Sequence, residues 1–144
     1  MTTVLQTIED YELFLYTLQD QFTSIKRSSI ALIRKGASLA RVSGEIFFAR
    51  EFRIVIRERI LYHCTPIVVD WYGYEIWKGD QKICRYDCQP HPDDPELKIS
   101  YPHHKHILPN LNRNRIPASH MSFNRANIPE IIQEVEEIIK NEKD

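Results

Sequence analysis

The stretch Phe52-Arg53-Ile54-Val55-Ile56-Arg57-Glu58-Arg59-Ile60 decides the fold. Read with a period of two, Phe52, Ile54, Ile56 and Ile60 fall on one side, and Arg53, Val55, Arg57 and Arg59 on the other. Alternation with β-branched residues describes a strand with one face in a core and one face outward. Working outward, Leu39–Phe48, Ile67–Trp77 and Lys82–Asp87 have the same β-branched and aromatic content. Ser24–Arg34 supplies a fifth segment that ends at the turn signal Lys35-Gly36. Gly79-Asp80 marks a tight turn between the last two strands. Links this short join only antiparallel neighbours, because a parallel crossover needs a dozen or more residues. The expectation is a sheet of about five strands, mainly antiparallel.

Helices flank it. Ile8, Tyr11, Phe14, Leu15, Leu18 and Phe22 recur at helical spacing over Thr7–Phe22, with Thr7 placed to cap and Glu9 and Asp10 suited to the positive end. A second helix starts at Asn127. Asn127 and Glu130 have capping-box spacing, Pro129 is tolerated in a first turn, and Ile128, Ile131, Ile132, Val135, Ile138 and Ile139 form the apolar stripe. Between Cys88 and Ile128, six prolines, with Pro129 just beyond, predict a long Pro- and His-rich loop with one extended piece near Ile99–Tyr101. The fold class expected is α+β, in a single domain over 1–144, with both helices on one face of the sheet.

The net charge of -1 hides a pattern. Residues 1–22 carry four acids and no base, 23–62 carry nine Lys/Arg against three Glu, and 103–129 carry Lys105, Arg113, Arg115 and Arg125 without an acid. This reads either as a mixed surface or as a local positive patch for a polyanion. No apolar stretch is long enough to span a bilayer, and the N-terminus lacks a signal-peptide layout, so the expected location is the cytoplasm, with no membrane partner. Cys64, Cys84 and Cys88 imply no disulfide framework. No cofactor is expected.

The chemistry concentrates in Pro102-His103-His104-Lys105-His106, with Arg85-Tyr86-Asp87 upstream at a strand's end. Three chemistries suit such a set. In metal-free RNA cleavage, His103, His104 and His106 supply acid and base at neutral pH, Lys105 and Arg85 stabilise the phosphorane, and Asp87 orients its neighbours. In metal binding, His104-x-His106 puts two imidazoles on one side of an extended chain, and Asp87 or Glu58 completes the site. In a structural role, the histidines bond backbone carbonyls in a polar loop. Arg85 and Asp87 share a face by parity, and Tyr86 takes the other. Glu58 falls among the isoleucines. It is either a carboxylate with an Arg or Lys partner or a site carboxylate with raised pKa. The stripe Arg53, Arg57 and Arg59 reads as a solvated face or as a surface for RNA. A non-catalytic module that binds nucleic acid or protein through this stripe and the tyrosines Tyr72 and Tyr74 is the competing function.

Gly44-Glu45-Ile46-Phe47-Phe48, the strand carrying Glu58, the aromatic strand after it, Arg85-Tyr86-Asp87 with a Pro-His soon after, and the Pro102–His106 cluster together resemble the TumE-like family of bacterial and archaeal toxin–antitoxin loci. The resemblance runs over residues 40–140. The chain departs from it at Cys88, where relatives often have Asn, and in a long Pro-rich spacer. The resemblance implies a toxin neutralised by a small helix-turn-helix antitoxin, with RNA as substrate. A homo-oligomer stays open. A basic sheet face would suit an acidic antitoxin segment.

Overall fold

The computed structural model describes residues 5–89, 97 and 101–142. Helices α1 (Ile8–Tyr16) and α2 (Leu18–Gln21) lead into strands β1 (Arg27–Ser28), β2 (Ala31–Lys35), β3 (Leu39–Phe47), β4 (Phe52–Leu61), β5 (Val68–Lys78), β6 (Gln81–Asp87), β7 (His104–Ile107) and β8 (Arg115–Pro117), followed by helix α3 (Ile128–Asn141). All strand pairings are antiparallel. The sheet order is β1-β3-β4-β5-β6-β7-β8, with β2 also paired to β3.

The sheet is larger than the five strands expected from the sequence. Ser24–Arg34 divides into β1 and β2, both paired to β3. The other addition comes from the Pro-rich segment. Its prolines leave only short windows, yet His104–Ile107 fits one of them and pairs with β6. Pro117 is accommodated because β8 is an edge strand, where a missing N–H costs no ladder bond. The extended piece expected at Ile99–Tyr101 falls largely outside the described residues; Tyr101 itself lies in a turn.

One sheet face is the core. Ala40, Val42, Ile46, Phe52, Ile54, Ile56, Ile60, Val69, Tyr72, Tyr74, Ile76, Cys84 and Tyr86 are all buried. The helix expected over Thr7–Phe22 is broken at Thr17 into α1 and α2, and α1 and α3 pack on this face. Ile128, Ile131, Ile132 and Val135 of α3 are fully buried, a gross stabilisation on the order of 6–12 kcal/mol. Thr7 caps α1 as expected, its hydroxyl accepting from the Asp10 N–H at 3.1 Å. The capping box of α3 does not form. Asn127 instead accepts from the Ser122 N–H at 2.8 Å and donates to Ser122 O at 2.8 Å and to Tyr74 Oη at 3.3 Å, so its amide ties the helix start to the core.

Gly44 has a local reason. Its φ is +143°, and a Cβ there would stand 2.6 Å from Ser29 O. Only glycine lets β3 pass this close to the backbone entering β2.

Glu58 is buried in the same core, 2% exposed. Its partners are neither Arg nor Lys. Tyr11 Oη donates at 2.5 Å, and Tyr74 Oη donates to the other oxygen. Burial pushes its pKa up, and the two hydroxyls offset part of that rise. One carboxyl thereby joins α1 to β4 and β5, and through Tyr74 and Asn127 to the start of α3.

Candidate functional site on the open sheet face

Directly paired residues of neighbouring antiparallel strands share a face. Register therefore builds two rows on the side away from the helices. One runs Ser43, Arg57, Gly73, Asp87, His104; the other runs Glu45, Val55, Glu75, Arg85, His106, Arg115. Asp87 and Arg85 close β6, and His104 and His106 stand opposite them on β7.

Asp87 is the hub. Its Oδ1 lies 2.6 Å from His104 Nε2, and its Oδ2 lies 3.2 Å from His106 Nε2 and 3.4 Å from Arg85 Nε. The two Nε2 atoms are 3.0 Å apart. Arg85 Nη2 reaches both ring nitrogens of His106 at 3.3–3.4 Å. Each imidazole turns its Nδ1 to a main-chain carbonyl, His104 to Pro102 O at 3.1 Å and His106 to Leu111 O at 2.5 Å. A carbonyl only accepts, so both Nδ1 atoms carry the proton, and both Nε2 atoms face the carboxylate. Burial raises the Asp87 pKa, but the hydrogen bonds from His104 and His106 outweigh it and hold the carboxyl well below its ordinary value. Asp87 is therefore an anion between two imidazoles and a guanidinium. Asp87, His104 and His106 also place three donor atoms within 4.8 Å of one another, close enough to share one metal ion.

A cavity of about 300 Å³ opens beside the cluster, lined by Val55, Arg57, Trp71, Gly73, Glu75, Arg85, Asp87 and Gln89. Its origin is local. Gly73 sits between Arg57 and Asp87 in the register, so one position in that row has no side chain. The Trp71 indole lies beside it, 3.5 Å from where a Gly73 Cβ would stand. His104 and His106 are 1% and 3% exposed and do not line this cavity, whereas Asp87 and Arg85 do. A ligand in the cavity meets the carboxylate and the guanidinium first.

The pentapeptide splits across the sheet. His104 and His106 face Asp87, while Lys105 points to the helix side. Its Nζ donates to Glu134 Oε2 of α3 at 2.6 Å and lies over the Tyr86 ring. His103, preceding β7, shares a 2.7 Å hydrogen bond with Tyr72 Oη and stacks on that ring. Burial, then the charge of His104, lowers its pKa. Lys105 and His103 thus stand apart from Arg85 and Asp87. Glu58, in the core, is on the opposite face from them. Of the arginine stripe, Arg57 lines the cavity, Arg53 pairs with Glu45 at 3.2 Å and covers Trp77, and Arg59 pairs with Asp70 at 2.8 Å. The open face is therefore charge-matched rather than uniformly basic.

Gly73, Glu75 and Gln89 were not singled out for the site from sequence. Gly73 carried a usable signal, since glycine inside a strand marks a close approach or a gap. The carbonyls of Pro102 and Leu111 carried none, because main-chain contacts depend on where the loop returns.

An antiparallel sheet with helices on one face and a histidine–carboxylate–arginine cluster beside a cavity on the other defines a small α+β protein with the groups for proton transfer and anion binding. The family model described as toxin TumE matches residues 15–139, and the chain belongs to that family. Neither the curated proteins nor the solved structures contain a match. The toxin family points to an antitoxin as partner. Among the described residues no helix is long and apolar enough to cross a membrane.

Proposed function

We propose that this toxin cleaves RNA by metal-independent phosphoryl transfer at the Asp87–His104–His106–Arg85 cluster. The observation that carries the reading is Asp87, whose carboxylate contacts both imidazoles and Arg85 while also lining the cavity. A phosphodiester in the cavity is held by Arg85 and Arg57. The ribose 2′-OH attacks phosphorus and gives its proton to one imidazole Nε2. The 5′-oxygen leaves with a proton from the other, giving a 2′,3′-cyclic phosphate and a free 5′-OH. Arg85 stabilises the added charge on the phosphorane. Asp87 stays ionised and orients the two imidazoles. Because the imidazoles lie behind the carboxylate, substrate binding has to open the Asp87 side of the cluster. Lys105 has no part in this reading, since its ammonium is committed to Glu134. The partner that restrains the activity is a small helix-turn-helix antitoxin, as the family resemblance implies.

The test is cleavage of single-stranded RNA in EDTA by the full chain released from its antitoxin. Wild type is expected to leave cyclic phosphate ends. His106→Ala and Asp87→Asn are expected to lose about 10²–10⁴-fold in rate. Full activity in His106→Ala would remove the histidine cluster from the mechanism.

A further inference from the structure

We propose that Asp87, His104 and His106 also form a binding site for a divalent transition-metal ion of the zinc class, and that such an ion blocks the cluster. Binding itself does not depend on the ribonuclease reading; the blocking does.

The argument rests on donor direction. Both Nδ1 atoms are committed as donors to main-chain carbonyls, at Pro102 and Leu111. That leaves Nε2 of each ring as the nitrogen able to ligate. Donation from the second ring nitrogen to a carbonyl is also the arrangement that fixes ring orientation and tautomer in metal-binding histidines. The two Nε2 atoms are 3.0 Å apart and stand 2.6 and 3.2 Å from separate oxygens of one carboxylate. A tetrahedral ion with bonds of about 2.0–2.1 Å needs donors about 3.3 Å apart. The cluster meets that spacing after outward movement, the largest about 0.7 Å between His104 Nε2 and Asp87 Oδ1. Two imidazoles and one carboxylate suit zinc, cobalt or nickel, whereas magnesium prefers oxygen donors and retains its waters. His104 and His106 are almost wholly buried, and Asp87 faces the cavity, so the fourth position of the ion would open there. The Arg85 guanidinium, 3.4 Å from Asp87 Oδ2, opposes a second positive charge and weakens the site.

An ion on both Nε2 atoms occupies the positions through which the imidazoles would exchange protons with RNA. Zinc is therefore expected to stop the proposed cleavage, and a chelator to restore it.

The experiment titrates cobalt(II), then zinc, into tag-free, EDTA-dialysed full-length chain and follows the visible ligand-field band of tetrahedral cobalt. Expected are one cobalt per chain, displacement by zinc, and no displacement by excess magnesium. The band should persist in His103→Ala, strengthen at a given cobalt concentration in Arg85→Gln, and vanish in Asp87→Asn and in His106→Gln. Asp87 is partly exposed, so Asp87→Asn remains a fair variant if His106→Gln misfolds, and circular dichroism checks both. A wild type without the band, or a folded Asp87→Asn that keeps it, overturns the site. Wild type that binds cobalt but cleaves no RNA under any condition overturns the ribonuclease reading and leaves the site standing. Bound zinc with undiminished cleavage overturns the blocking.

Discussion

Gly73 stands directly opposite Asp87 across β5 and β6, and opposite Arg57 across β4 and β5. The position between a guanidinium and a carboxylate thus carries only a hydrogen. Any side chain there would project into the space between them. Gly73 is in ordinary extended backbone, and a Cβ meets nothing closer than 3.5 Å. Gly73→Ala is expected to fold normally. Gly73→Leu should fill much of the 300 Å³ cavity, weaken RNA binding at least about tenfold and shift the thermal midpoint little. Binding measured by fluorescence anisotropy, beside a melting curve, checks this. Wild-type affinity in Gly73→Leu would place the substrate elsewhere.

Lys105 distinguishes the two faces of β7. Its ammonium pairs with Glu134 at 2.6 Å, and Glu134 also accepts from Tyr86 Oη at 2.5 Å, so α3 is pinned to β6 and β7. Lys105→Met leaves a half-buried carboxylate without its cation. The expected cost is about 1–3 kcal/mol of stability, with cleavage per folded molecule unchanged. Urea unfolding monitored with and without an accompanying Glu134→Gln change checks it. The double variant should recover part of the loss, because the second substitution removes the uncompensated charge. A rate loss in folded Lys105→Met would return the ammonium to the substrate side.

Strand parity made much of this legible. The alternation of Phe52–Ile60 defined which face is core, and Arg85 with Asp87 shared the other. His104-x-His106 on one side of an extended chain is what β7 displays. What parity could not supply was the partner across the gap. That His104 meets Asp87, and His106 meets Arg85, depends on a loop return of more than fifteen residues whose length says nothing of register. The same limit hid Lys105 and His103, which looked like members of one cluster because they are neighbours in sequence. Alternation sends neighbours to opposite faces once the segment becomes a strand. Glu58 was legible as an anomaly but not in its resolution, since its tyrosine partners include Tyr11, from a helix far away in the chain.

The antitoxin expectation changes with the geometry. Arg53, Arg59 and Lys82 are each paired on the open face, to Glu45, Asp70 and Glu75. An acidic segment crossing this face gains little from groups already neutralised, Arg85 with Asp87 among them, whereas Arg57 lining the cavity offers charge to an inserted carboxylate. Arg57→Glu is expected to weaken the toxin–antitoxin complex more than Arg59→Glu does, by about 1–2 kcal/mol. Calorimetry on the co-purified pair after separation measures the difference. Equal losses would mean the antitoxin does not reach the cavity.

Glu58 makes stability depend on pH with a definite sign. Its folded pKa is raised, chiefly by burial, while an unfolded glutamate ionises near pH 4.3. Between those two values the folded chain keeps a proton that the unfolded chain has lost. Stability from this group is therefore fully present below about pH 4.3 and is lost as pH rises through the folded value. Glu58→Gln has no such titration. Its amide oxygen can accept from one tyrosine, and its amide N–H₂ can donate to the other hydroxyl oxygen, so most of the network survives. The stability of Glu58→Gln relative to wild type should therefore improve as pH is raised from 4.5 towards 8, at ordinary ionic strength. Glu58→Ala should be worse than both at every pH, by roughly 2–4 kcal/mol, because two buried hydroxyls lose their acceptor and a cavity opens. Urea midpoints across that range decide it. A difference between wild type and Glu58→Gln that stays flat with pH would mean that Glu58 is charged in the folded core throughout and held so by the hydroxyls of Tyr11 and Tyr74.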